Sequence, residues 1–299
     1  MRVRSSTCNP AAVISSTILT LVLLAIPIGA LATPITIRSV AGPDAASIQT
    51  VVDLFRADVS LGGVNVNNGN TPASLPTGRR EVNWDGGGAA ANATTFTSPM
   101  NTFNSGATTR GLVSVTAGTG FEISGQPSPE FGDINPTYPG IFQTFSAPRL
   151  FAPLGSNVMD ALFFSPGTSQ AASVFGFGAV FTDVDLANTS SLEFFNTSNV
   201  SLGTFFVPTF NNGLSFLGVT FTDAIGRVRI TTGNTALGPN DGGATDVVAL
   251  DDFIYSEPQV VPEPSTVLLV GAGIAGIARR RRRSRPQWDS NRERESVLS

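Results

Sequence analysis

From residue 112 onward the chain repeats one device. Short runs rich in β-branched and aromatic residues are separated by Gly, Asn, Pro and Ser. The runs are LVSVTA (112–117), FGFGAVFT (175–182), SLEFF (191–195), LGTFFVPTF (202–210), LSFLGVTFT (214–222), GRVRITT (226–232) and VVALDDFIY (247–255). Such residues fit a pleated, half-buried surface, and turn signals every 8–12 residues or so predict an all-β sandwich or jelly-roll-like fold. Twenty-one phenylalanines against two tryptophans and two tyrosines place most of the aromatic area in the core.

One helix precedes the strands. Ile48, Val51, Val52 and Phe55 stand at i, i+3, i+4 and i+7, Pro43 and Asp44 can start the helix, and Gly62-Gly63 end it, which predicts an accessory N-terminal helix over 44–59 packed on the sheet. The glycine- and asparagine-rich stretch 62–110 reads as long loops around one short strand at Val82 and Trp84.

Charge and missing residue types narrow the chemistry. Residues 33–278 hold eight arginines against nineteen acids, and the whole chain has no lysine and no histidine. A body this acidic repels nucleic acid and suits divalent cations. Its one cysteine, Cys8, lies near the N-terminus. A Ser-His-Asp triad, a thiol nucleophile, a Cys/His zinc site, a Schiff-base lysine and a P-loop are therefore all excluded from the body. A carboxylate pair or oxygen-ligated metal remains open to it, though nothing in the sequence marks such a pair.

The C-terminal region contains GAGIAG (271–276), a formal match to the dinucleotide fingerprint. That fingerprint needs a βαβ unit of about 30 residues, and no second strand can be drawn through the arginine-rich sequence that follows. The region divides instead into three parts. Val261, Pro262, Glu263, Pro264, Ser265 and Thr266 make an extended lead-in, since each proline fixes its own φ and biases its predecessor away from helix. A small-residue apolar stretch (266–278) follows, and then Arg279, Arg280, Arg281, Arg282 and Arg283. The 15 uncharged residues 264–278 would span roughly 22 Å as helix against a hydrocarbon core of about 30 Å. This predicts a short C-terminal transmembrane helix whose arginines reach the interface.

The combination of VPEPST, apolar stretch and arginine cluster resembles the PEP-CTERM sorting signal of Gram-negative bacteria. The resemblance implies export, transient inner-membrane anchoring, cleavage near Pro-Glu-Pro by an exosortase, and delivery to the cell surface or extracellular matrix. Such signals usually end just after the basic cluster, whereas a polar stretch, 284–299, follows here. The N-terminus agrees. Arg2 and Arg4 form a positive n-region, residues 18–28 an apolar h-region, and Ala30 and Ala32 a small-x-small cleavage site, as in a signal peptide using the Sec translocon. The expected organisation is a signal peptide (1–32), an exported β domain (33–260), a sorting signal (261–283) and a polar tail (284–299).

The body is also similar to a class of exported bacterial proteins carrying this tail, through GRREVNWDG (78–86), SAPRLFAPLGSN (146–157), FGAVFTDVDLANTSSLEFF (177–195), GLSFLGVTF (213–221) and DVVALDDFIYSEP (246–258). That likeness bears on architecture and location, not on chemistry.

Two groups of residues stand out as candidate sites. Asp183 and Asp185 alternate at a strand end and so share a face, Asp241 lies in the acidic turn NDGG, and Asp251-Asp252 lie in the last run. Gathered by the fold, they would offer oxygen ligands for calcium, which takes six to eight at about 2.4 Å. Left apart, they are solvated or backbone-bonded carboxylates. Trp84 beside Asp85 is a candidate glycan-stacking face, or else a core plug. The expectation is a non-enzymatic surface protein associated with exopolysaccharide. The rivals are a calcium-dependent carbohydrate-binding module and a carboxylate-based glycan hydrolase.

Overall fold

The computed structural model describes residues 34–261. Ala30, Ala32, Pro262 to Thr266, the apolar segment 266–278 and Arg279 to Arg283 lie outside the described residues. Among those described, no helix is long and apolar enough to cross a membrane.

The chain enters through β1 (Pro34–Gly42) and α1 (Ala45–Asp58). Asp44 caps the helix: its carboxylate accepts from Ser47 N at 2.9 Å, while Asp44 N donates to Ser47 Oγ at 3.2 Å, which satisfies two of the helix's free amides. Ile48, Val52 and Phe55 are fully buried on one stripe. The 62–110 stretch contributes short pieces: β2 (Arg79–Val82), β3 (Thr94–Phe96), β4 (Asn104–Ser105) and β5 (Thr108–Thr109). Then come β6 (Leu112–Thr116), β7 (Gly120–Ile123), β8 (Phe151–Leu154), β9 (Val158–Phe163) and β10 (Ala172–Val184). The last five are β11 (Ser191–Asn196), β12 (Ser201–Phe206), β13 (Phe210–Thr231), β14 (Ala249–Ser256) and β15 (Gln259–Val260).

Thirteen of these strands form one sheet. LSFLGVTFT and GRVRITT, separate runs in the sequence, are one 22-residue strand, β13. Its first half lies between β1 and β10, and its second half between β11 and β9. Beyond β10 the order continues through β14 to β8, β7 and β3. Because β8 runs on into β9, which returns to β13, the sheet curls back on itself. The fold is all-β with one helix, and the layers expected of a sandwich share β13 within this single curled sheet.

Alternation along β10 explains both buried faces. Phe177, Ala179 and Phe181 join Trp84, Phe121, Phe151 and Phe253 inside the curl. Gly178 and Val180 face the opposite way, beneath α1. Gly178 and Gly218 are cross-strand partners, and a Cβ on either would come within 2.7 Å of the Phe55 ring. The paired glycines form the notch that seats the helix. A third cluster, including Phe131, Tyr138, Phe142 and Val247, packs under the loop segment near residues 131–142.

Candidate functional site

β10 ends in a carboxylate cluster. Asp183 adopts a left-handed backbone (φ 66°) at a register shift against β13, a conformation that Asp tolerates better than most residues. Its side chain is 2% exposed, and its Oδ1 accepts from Asn212 N at 2.7 Å. Asp185 follows just beyond the strand, and Asp246 fixes its backbone, accepting from Asp185 N at 3.0 Å. Asp241 comes from the loop after β13, which Tyr138 holds by exchanging hydrogen bonds with both N and O of Gly238. Asp183, Asp185 and Asp241 each bring one carboxylate oxygen within 4.8 Å of the others.

Among the described residues, no cationic side chain balances this charge. No salt bridge among the described residues involves these three or Asp246. Oδ1 of Asp185 and Oδ1 of Asp241 are covered and without a hydrogen-bond partner. Burial pushes the Asp183 carboxyl up to about 7, with Asp185 and Asp241 adding to the effect. Burial also raises Asp185, as do Asp246 and Asp241. Such oxygens suit a hard cation, which would restore the charged state that burial disfavours.

Asp251 and Asp252 belong elsewhere, which corrects their grouping with this cluster. A bulge in β14 sets Leu250 and Phe253 against Phe181 and Ala179 of β10, so both carboxylates reach one segment despite being sequence neighbours. Asp251 accepts from Phe145 N at 2.6 Å and from Ser146 N at 3.2 Å, and Asp252 accepts from Ser146 Oγ at 2.6 Å. Burial holds Asp251 well above the usual carboxylate range and lifts Asp252 to about 6. Arg56 of α1 stands 3.6 Å from Asp252. These two acids fasten the 142–149 segment to the sheet.

Trp84 takes the second of its two readings, the core plug, and not the glycan-stacking one. It is 2% exposed, stacked on Phe151 at 3.8 Å and met edge-on by Phe103 and Phe253. Its Nε1 donates to Asp251 O at 2.8 Å. The indole is a core plug with no open face for a sugar.

The other feature with functional bearing is where the body stops. Glu257, fully buried, meets Arg80, also fully buried, through two contacts of 2.7 Å. Arg80 donates further to the carbonyls of Gly69 and Ala73, at 2.9 and 3.1 Å. Just beyond, Gln259 and Val260 pair with Ser173 and Ala172, and Val261 N donates to Ala171 O at 3.2 Å. Sequence reading misses Asp246 and the pairing of Arg80 with Glu257, because the partners are distant in sequence.

The model of the PEP-CTERM protein-sorting motif matches residues 260–283. The match begins inside β15, so the sorting motif continues directly from the last strand of the fold. Neither a curated protein nor a solved structure matches the chain. The motif marks an exported protein that an exosortase processes.

Proposed function

We propose that the β domain is a non-enzymatic protein of the cell surface or extracellular matrix, associated with exopolysaccharide. A signal peptide starts its export through the Sec translocon, and its tail anchors it in the inner membrane until exosortase cleavage. The observation that carries this reading is the sorting motif at 260–283. Support for a role without catalysis comes from the body's lack of lysine, histidine and cysteine. In a host lacking its exosortase, the protein should accumulate as a membrane-bound precursor and disappear from the surface fraction. Unchanged surface delivery would refute the reading.

Calcium binding by Asp183, Asp185 and Asp241 is the second reading, favoured by three converging carboxylates of which two present a covered oxygen with no hydrogen-bond partner among the described residues. Three carboxylates supply a minority of the six to eight oxygens calcium takes, leaving positions for water or a sugar hydroxyl. A cation would neutralise the cluster and pin the Asp241 loop to the end of β10. This is the form in which a calcium-dependent carbohydrate-binding module fits the molecule. A glycan array run with calcium and with EDTA separates it from a protein without glycan affinity. A glycan hydrolase would need polysaccharide cleavage that disappears when these aspartates become asparagine.

A further inference from the structure

The two places where the chain enters and leaves the described fold lie at one pole. Pro34 of β1 pairs with Phe221 of β13, β13 pairs with β10, and β10 pairs with β15. Entry and exit are thus three strand spacings apart laterally and about four residues apart along β10, roughly 20 Å in all. The carboxylate cluster is at the other end of β10, thirteen residues long, or about 40 Å away.

The exit pole has its own surface chemistry. Its loops, 62–78, 101–109 and 164–171, contain no charged residue in a body with eighteen acids. Hydrogen bonds weld them together and to the exit strand. Asn104 accepts from Gly167 N and donates to Thr168 O, both at 2.7 Å. Ala73 N donates to Pro166 O at 3.0 Å, and Gln259 Nε2 to Leu75 O at 2.8 Å. Val64, Val66 and Val260 are exposed. The charges at its border are mostly paired: Asp58, beside Leu61 and Phe175, meets Arg38, and Arg79, which donates to Asn65, meets Glu81; Arg110 donates to Asn70, and Arg80 and Glu257 cancel inside.

Residue 261 is hydrogen-bonded to the body and the apolar segment begins at Val267. Fully extended, the intervening chain spans at most about 20 Å. While the tail is embedded, this pole must lie near the lipid surface. Acidic faces would be repelled by anionic headgroups, whereas uncharged amides, hydroxyls and valines are not.

We infer that this uncharged pole is a phospholipid-facing surface, on which the anchored precursor rests with its carboxylate cluster pointing away from the membrane. The inference rests on the tail being a membrane segment. Outside the leader the chain has no thiol, so single cysteines can report on it. In a Cys8→Ser background, Ser169→Cys at the exit pole and Ala187→Cys beside the cluster are labelled with an environment-sensitive fluorophore. The full chain is then reconstituted in vesicles carrying spin-labelled lipids. The expected result is co-flotation with vesicles and quenching several-fold stronger at position 169 than at 187. Co-flotation with equal quenching, with none at either position, or with the reverse order overturns the orientation. A chain that does not float overturns the membrane-segment reading and the inference with it.

Discussion

At the residue scale, Asp183 ties local backbone to chemistry. Burial raises its pKa in the folded state to about 7, so between its unfolded value near 4 and about 7 the native state holds more protons than the unfolded one. Stability therefore falls as pH rises through that window. Glu122, buried and pushed up to about 7, and Asp252, at about 6, act in the same direction. In EDTA the melting temperature should drop between pH 5 and 7.5, and calcium should restore it at the upper end, where the ligands are ionised. A flat pH profile with no calcium effect would refute the site. Asp183→Asn keeps an acceptor for Asn212 N and suits the left-handed backbone. It should raise the melting temperature in EDTA at pH 7.5 by at least about 2 °C, roughly what 1 kcal/mol does in a domain this size, and it should abolish the calcium shift. The nearness of Asp183 and Asp185 was legible from their two-residue spacing. That Asp241 joins them and Asp251 does not was illegible, because a loop held by Tyr138 and a bulge in β14 decide it.

At the scale of elements, the helix could be read from periodicity, and β2, β6 and β10 to β14 from their β-branched and aromatic residues, whereas β1, β7, β8, β9 and the two- and three-residue strands could not. Apolar residues recur along α1 at helical spacing, and Asp44 caps it. The misreadings have local causes. LGTFFVPTF is two pieces, because Pro208 cannot donate to the ladder, and β12 ends at Phe206 while β13 begins at Phe210. β9 escaped notice because its outward residues Val158 and Leu162 are as apolar as the buried Met159, Ala161 and Phe163, which hides the alternation. β8 carries Pro153 within four residues. The glycines at 178 and 218 were visible, but their partner was not. Gly218→Ala should cost about 1–3 kcal/mol by overpacking against Phe55. Phe55→Ala alone should cost about 3–5 kcal/mol, and the double variant less than the sum. Additive chemical-denaturation energies would contradict the notch. Glu257→Gln leaves the Arg80 charge buried and should cost about 3–5 kcal/mol. A loss below 1 kcal/mol would show that Arg80 is satisfied by the carbonyls of Gly69, Ala73 and Thr109 alone.

At the scale of the whole molecule, the fold separates two kinds of surface. Its uncharged pole carries both chain connections, and its opposite pole carries the carboxylate cluster. The body's acidity was evident from composition, but its segregation depends on β10 running from one pole to the other. The sorting tail, in contrast, was fully legible, because a sequence-read address needs no tertiary partner. Its junction with the body was not, since nothing in PQVV signals that Val260 and Val261 are hydrogen-bonded to β10 and Ala171. The most direct measurement is the intact mass of the protein recovered from the outside of cells that hold an exosortase. A chain beginning after Ala32 and ending within or beside residues 262–264 is the predicted product; a cytosolic chain with both ends in place would contradict the account.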